Sequence, residues 1–199
     1  MRLVVGITGA TGAVFGIRLL EVLKATGVET ELCISPWGAR TVEHETSLSL
    51  AEVEALATHS HRVTNQAAPL SSGSFKTDGM IIAPCSMRTA ATVAHGISDN
   101  LITRAADVTL KEGRTLVVVP RETPLSVVHL ENLLKLAQLG VRIVPPMPAF
   151  YSHPQSVAEI VDHVVARVLD QVSLDPGIAP RWNGRLLRRA DGAPERVAD

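Results

Sequence analysis

Five short apolar, β-branched runs, separated by longer stretches of helical period, constrain this chain more than any other feature. The runs are 3–8, 31–34, 80–83, 116–119 and 141–144. Between them lie 14–24, 50–57, 86–95, 100–111 and 126–139, read as helices. A strand that is apolar on both faces needs cover on both, and helical crossovers supply it. The pattern predicts an α/β fold: a mainly parallel sheet between two helical layers, a three-layer αβα Rossmann-like architecture. A last helix carries the clearest stripe, Val157, Ile160, Val161, Val164, Val165, Val168, Leu169 and Val172, spaced to pack on the sheet. Residues 60–78 read as polar and irregular, ending in SSGSF, a loop suited to covering a site or an edge.

One domain is expected over 1–182, followed by a polar, basic tail over 183–199 that is expected to be disordered. The formal net charge of −1 leaves no electrostatic footprint for nucleic acid or an anionic membrane. No apolar stretch reaches the length of a membrane span, and the first run leads into a glycine turn instead of a cleavage site. The two cysteines, Cys33 and Cys85, sit in or at the end of apolar runs. They make no disulfide framework, so a reducing cytoplasm is the expected compartment.

In an open parallel sheet, ligands bind beyond the carboxyl ends of the strands. Those positions carry Thr8-Gly9-Ala10-Thr11-Gly12-Ala13, Ser35-Pro36-Trp37, Pro84-Cys85-Ser86-Met87-Arg88-Thr89, Pro120-Arg121-Glu122-Thr123-Pro124 and Pro145-Pro146-Met147-Pro148-Ala149-Phe150-Tyr151. Glycines, small hydroxyls, arginines and a carboxylate on one edge suit a flat, phosphate-bearing ligand. A dinucleotide reading fails twice: the glycines are three apart, and the second strand ends in Ser35 where an acid should bind the ribose. Tyr151 is followed four residues later by Gln155, not lysine, which removes a short-chain dehydrogenase. No G-x-S-x-G elbow and no H-E-x-x-H are present, so neither a hydrolase triad nor a zinc site is expected.

From residue 2 to Trp182 the chain resembles the UbiX-type flavin prenyltransferases. The carrying segments are TGATGA, ISPW with HET, SSGSF, APCSMRT, NLITRAADVTLKE, VPRETP, HLENLLKL, PPMPAFY, PQS and PRW. Thr11 and Trp37 resemble the branch found alongside hydroxyarylic (phenolic) acid decarboxylases. The resemblance implies a flavoprotein fold and a metal-independent transfer of a dimethylallyl group from dimethylallyl monophosphate to N5 and C6 of reduced FMN. It also implies a UbiD-type decarboxylase as recipient of the product, and a homo-oligomer, often a dodecamer, with active sites at subunit contacts.

Residue by residue, the resemblance implies FMN contacts from Gly9, Ala10, Thr11, Ser35, Ser86, Met87, Arg88, Thr89 and Arg121. Arg104, Lys111, Tyr151 and Arg167 would clamp the phosphate of the prenyl donor, arginine bidentately and lysine as a point charge. Glu122 is the expected acid for the leaving phosphate. Glu45 and Thr11 are expected to handle protons near the flavin, and Trp182 to face the allylic cation with an aromatic surface. Two rivals remain open: a non-catalytic flavin-holding component of a hydroxyarylic acid decarboxylase complex, and a peptidyl- or pantothenoyl-cysteine decarboxylase. Against the second, PCSMRT stands where those enzymes carry PASANT.

Overall fold

The computed structural model describes residues 1–182 and Gly184; the rest of the tail expected to be disordered lies outside these described residues. Six parallel strands form one sheet: β1 (Arg2–Ile7), β2 (Glu29–Ile34), β3 (His59–Arg62), β4 (Gly79–Cys85), β5 (Thr115–Pro120) and β6 (Arg142–Ile143). Their order is β3-β2-β1-β4-β5-β6. Among the described residues, seven α-helices connect and cover them: α1 (Ala13–Ala25), α2 (Pro36–Glu45), α3 (Leu50–Glu54), α4 (Met87–Ala94), α5 (Leu101–Lys111), α6 (Val127–Gln138) and α7 (Val157–Asp170). The expected αβα sandwich is thus the fold.

Strand alternation sorts the core into two layers. Leu3, Val5, Ile7, Ile81, Ala83, Val117 and Val119 face α1, α7 and single residues of α2 and α3 (Val42, Val53). Val4, Met80, Ile82, Leu116 and Val118 face α4, α5 and Leu136 of α6. An ion pair ties the first layer together, Arg18 Nε to Asp162 Oδ1 at 2.6 Å. Both cysteines are free and buried, and burial pushes each thiol up to about 12. Neither offers a thiolate at neutral pH, which fits packed thiols.

Two elements depart from the expectation. His59–Arg62 (HSHR) is a strand that overlaps the start of the segment read as irregular. It lies at the sheet edge, where only one neighbour is needed and polar side chains are tolerated. There His61 Nε2 meets the buried Glu31 carboxylate at 2.6 Å. ISPW is not a plain loop: Ser35 accepts the Gly38 N–H at 3.0 Å as the N-cap of α2, with Pro36 in the first turn. The SSGSF loop, expected over a site or an edge, packs on a helix. Arg114 donates to the Gly73 and Phe75 carbonyls and Arg104 to that of Ser71, pinning the loop along α5.

Gly16 sets how closely α1 approaches the sheet. A Cβ there would lie 2.3 Å from the Ala83 carbonyl oxygen and 3.0 Å from Ile7. Backbone cannot yield as a flexible side chain does, so Gly16→Ala should lose about 1–3 kcal/mol by overpacking. The gain in helix propensity offsets under about 1 kcal/mol of that. A thermal melt should fall by roughly 2–4 °C per kcal/mol of net loss; an unchanged or raised Tm would mean that α1 slides without cost.

Candidate active site

The chain starts at the centre of the sheet, winds out through β2 to β3, then returns to β4 on the other side of β1. Connections leave β1 and β4 in opposite directions, so a crevice opens beyond their carboxyl ends. Thr8, buried at 2 % exposure, holds this crevice in shape. Its hydroxyl donates to the Pro84 carbonyl at 2.9 Å and accepts the Ser86 N–H at 2.8 Å. Thr8 is not among the expected site residues. Its one sequence signal is position: the first hydroxyl after the first strand.

A cavity of about 530 Å³ occupies the crevice, lined by residues that include Thr8, Gly9, Ser35, Trp37, Ser86, Arg88, Thr89, Asn100 and Thr103. Its size falls within the range of small-ligand sites. Three helices begin at its rim, α2 at Ser35, α4 at Ser86 and α5 at Asn100. Ser86 caps α4 by accepting the Thr89 N–H at 3.2 Å, as Ser35 caps α2. Helix starts carry partial positive charge and free N–H groups, which favour an anion. Arg88 adds a cation, 3.6 Å from Asp99. Gly9 is needed at its place, because a Cβ would lie 2.3 Å from Trp37 Cβ. Trp37 itself stands exposed on the rim, with the Arg40 guanidinium 4.9 Å from its ring centroid.

The start of α1 is already filled. Glu45 Oε2 accepts the Gly12 N–H at 2.8 Å and the Ala13 N–H at 2.9 Å. Burial pushes the Glu45 carboxyl up, but hydrogen bonds from the Thr11 hydroxyl and these two N–H groups outweigh it, so its pKa lies below the ordinary value. A dinucleotide fold puts its pyrophosphate at this helix start; here a carboxylate sits there instead. Thr11 and Glu45, both expected near the flavin, are brought together.

The four expected phosphate ligands divide into two pairs. Arg104 and Lys111 lie on α5, on one face of the sheet, beside the SSGSF loop. Arg104 also donates to Asp107 and Lys111 to Glu112. Tyr151 and Arg167 lie with α7 on the opposite face. There they line a second cavity of about 360 Å³ with His163, Asp170, Arg181 and Trp182. Trp182 meets the Tyr151 ring edge to face at 5.6 Å, and Arg167 is paired with Asp170. One copy of the chain does not bring the two pairs together. Arg121 and Glu122 are exposed beyond β5; Arg121 N–H reaches the Cys85 carbonyl at 3.3 Å, and Glu122 accepts the Thr123 N–H.

Among the described residues, Glu29, Glu31 and His59 form one grouping with metal-ligand chemistry. Arg2 lies 2.8 Å from Glu29 and 3.8 Å from Glu31, so a guanidinium already supplies the counter-charge.

A family model described as Flavoprotein matches residues 1–169. A Streptomyces sp. (strain D7) protein named "Probable UbiX-like flavin prenyltransferase" is 60% identical over 191 residues, 96% of each chain. A dodecameric FMN-dependent UbiX-like decarboxylase from Escherichia coli O157:H7 superposes with a TM-score of 0.91 at 58% identity, covering 92% of this chain and 100% of that one. AnUbiX (PadA1), solved with FMN and dimethylallyl pyrophosphate, gives a TM-score of 0.91 at 49% identity, covering 92% and 98%. With the switch-point cavity and matches that run nearly end to end, this chain belongs to the flavoprotein family, as one of its UbiX-like flavin prenyltransferases.

Proposed function

We propose that this protein joins a dimethylallyl group from dimethylallyl monophosphate to N5 and C6 of reduced FMN, making it a transferase. The observation that carries this reading is the switch-point cavity, with three capped helix starts, Gly9 and Arg88 on its rim. Its fit to FMN is chemical: a phosphate suits the start of α4, and the absence of a side chain at Gly9 lets a planar ring lie against backbone. Gly9, Ala10, Thr11, Ser35, Ser86, Met87, Arg88, Thr89 and Arg121 are assigned to FMN. A relative at 49% identity was solved with FMN and a dimethylallyl donor.

In the reaction the donor's C–O bond breaks, the phosphate departs with a proton, and the allylic carbon bonds to flavin N5 in exchange for its proton. The remaining alkene then takes up a proton, and its other end bonds to C6 in exchange for the C6 proton. Positive charge develops on the allyl group, and the faces of Tyr151 and Trp182 stabilise such charge. Tyr151 and Arg167 hold the phosphate from one copy. Arg104 and Lys111 complete the clamp from a neighbouring copy, since they lie on the opposite face. Assembly into a homododecamer provides the neighbour. Val127, Val128, Leu130 and Leu134 on α6 are all exposed, the kind of apolar patch that marks a contact with another protein surface. No helix among the described residues is long and apolar enough to cross a membrane, and the cytoplasm is the proposed compartment. A UbiD-type decarboxylase receives the product.

Purified protein given reduced FMN and dimethylallyl monophosphate under strict anaerobiosis should yield a heavier flavin by mass spectrometry. Tight FMN binding without that product would overturn the transferase reading and leave a flavin-holding protein.

A further inference from the structure

The Tyr151 hydroxyl has a partner outside the expected phosphate clamp. Its oxygen lies 3.2 Å from His163 Nε2, and the two rings meet edge to face with centroids 5.9 Å apart. His163 sits on α7 one turn before Arg167 and lines the same cavity. We propose that His163 is a positioning residue for the prenyl donor: it takes up a proton as the phosphate binds, and so turns the Tyr151 hydroxyl onto the phosphate. The proposal rests on the reading that Tyr151 and Arg167 hold the donor's phosphate.

Proton count decides which way the hydroxyl points. A tyrosine hydroxyl has one proton to donate, and phosphate oxygens at neutral pH only accept. A neutral imidazole with a bare Nε2 takes that proton, leaving lone pairs of the tyrosine oxygen towards the cavity. A protonated imidazole donates from both nitrogens. Nε2 then donates to the tyrosine oxygen, and the hydroxyl proton is free for the phosphate. The same step adds a positive charge beside an arriving anion.

The surroundings favour the neutral ring until a phosphate arrives. Burial holds the His163 imidazole below its ordinary pKa, and Arg167 pushes the same way against Asp170. The charged groups around it are few. On α7, Asp170 is already shared between Arg167 and Arg181, and Glu159 accepts the Gln155 N–H. From the segment after α7 come Arg181 and, paired with it, Asp175. From α1, Arg18 and Glu21 meet α7 at Asp162. A bound phosphate dianion reverses this balance. Linkage then requires that whatever raises the proton affinity on binding must weaken binding as protons become scarce. Donor affinity therefore falls as pH rises.

The test is the KM for dimethylallyl monophosphate across about pH 5.5 to 8.5, with reduced FMN supplied at saturation under anaerobiosis. Wild type, His163→Gln and Tyr151→Phe are compared. The donor itself loses a proton near about pH 6, but His163→Gln sees the same donor, so the ratio of the two KM values isolates the histidine. The wild-type KM should rise roughly three- to tenfold relative to His163→Gln between the lowest and highest pH. The kcat ratio should stay level and FMN affinity should not change. Superimposable KM profiles for wild type and His163→Gln would overturn the proposal. If Tyr151→Phe leaves KM untouched, the phosphate is not in this cavity and the underlying reading fails with it. If Tyr151→Phe raises KM while His163→Gln tracks wild type, only the role of His163 falls. Should the glutamine variant lose FMN, His163→Asn takes its place. Calorimetry with inorganic phosphate in buffers of different ionisation enthalpy then counts the proton directly: uptake by wild type beyond that by the variant supports the proposal, and equal uptake overturns it.

Discussion

Glutamine in place of Glu45 is expected to leave FMN bound and to cut turnover by about 10²- to 10⁴-fold, the usual contribution of a positioned acid or base. Glu45 ends α2 and reaches back to the loop after β1, where it accepts the Gly12 and Ala13 N–H groups, and the nearby Thr11 hydroxyl helps hold its carboxyl below the ordinary pKa. Glutamine keeps the shape and one accepting oxygen but loses the charge and the ability to exchange a proton. Stability should change far less, since a carboxylate at a helix start contributes under about 1 kcal/mol at an exposed site. The sign with pH follows from the carboxyl's depressed pKa in the folded protein. Its stabilisation is complete above the ordinary carboxyl value and vanishes as pH falls through the folded one. Wild type and Glu45→Gln should therefore melt apart at neutral pH and converge in acid. Thr11→Val separates the two roles, because it deletes the hydroxyl and leaves both helix N–H bonds in place. Full turnover in a folded Glu45→Gln protein would leave Glu45 as a helix cap and nothing more.

The five strands that carry the sheet were legible because interior parallel strands must be apolar on both faces, and GMIIAPC and TLVVVP are buried almost throughout. HSHR was not legible by that rule. Its pairing rests on Glu31 opposite His59 and on the His61–Glu31 contact, both set by residues far away in sequence. The first turn of α2 could have been read, since Ser-Pro is a helix-start signal. Its apolar stripe is too thin to announce a helix, with Gly38 and Val42 its buried residues. For the candidate site, strand-end position located Gly9, Ser35, Ser86, Arg88 and Thr89 on one cavity. It gave no warning that Arg104 and Tyr151 lie on opposite faces of the sheet. Sequence spacing reports neighbours along an element, whereas the face a helix covers follows from the winding of the chain around β1. Thr8 escaped for a different reason. A buried threonine that ties two strand ends together looks, in sequence, like any residue after a strand.

Glu122→Gln should be as severe for turnover as the change at Glu45, by about 10²- to 10⁴-fold, while FMN affinity stays level. The two variants would fail at different steps. Glu45 adjoins the loop expected to touch the flavin, so its loss should slow proton exchange there. Glu122 is assigned to the leaving phosphate, so its loss should slow departure of that group. A donor with a better leaving group discriminates between them. Dimethylallyl pyrophosphate, whose departing anion needs a proton less, should recover part of the rate in Glu122→Gln and none in Glu45→Gln. In the single chain Glu122 stands in water, its carboxylate accepting the Thr123 N–H at 3.0 Å. The exposed apolar residues Leu125, Val127 and Val128 follow directly. A general acid works best where water cannot compete for its proton, and a second copy packed on those residues would supply that cover. The rate should accordingly fall with dilution below the concentration at which the oligomer dissociates. Glu122→Gln should keep part of that dependence, because the clamp still needs Arg104 and Lys111 from the neighbouring copy, and only the share of the fall that comes from shielding the proton should be missing from it. Wild-type turnover in Glu122→Gln, with the assembly intact, would take Glu122 out of the reaction and leave the proton to come from the clamp or from solvent.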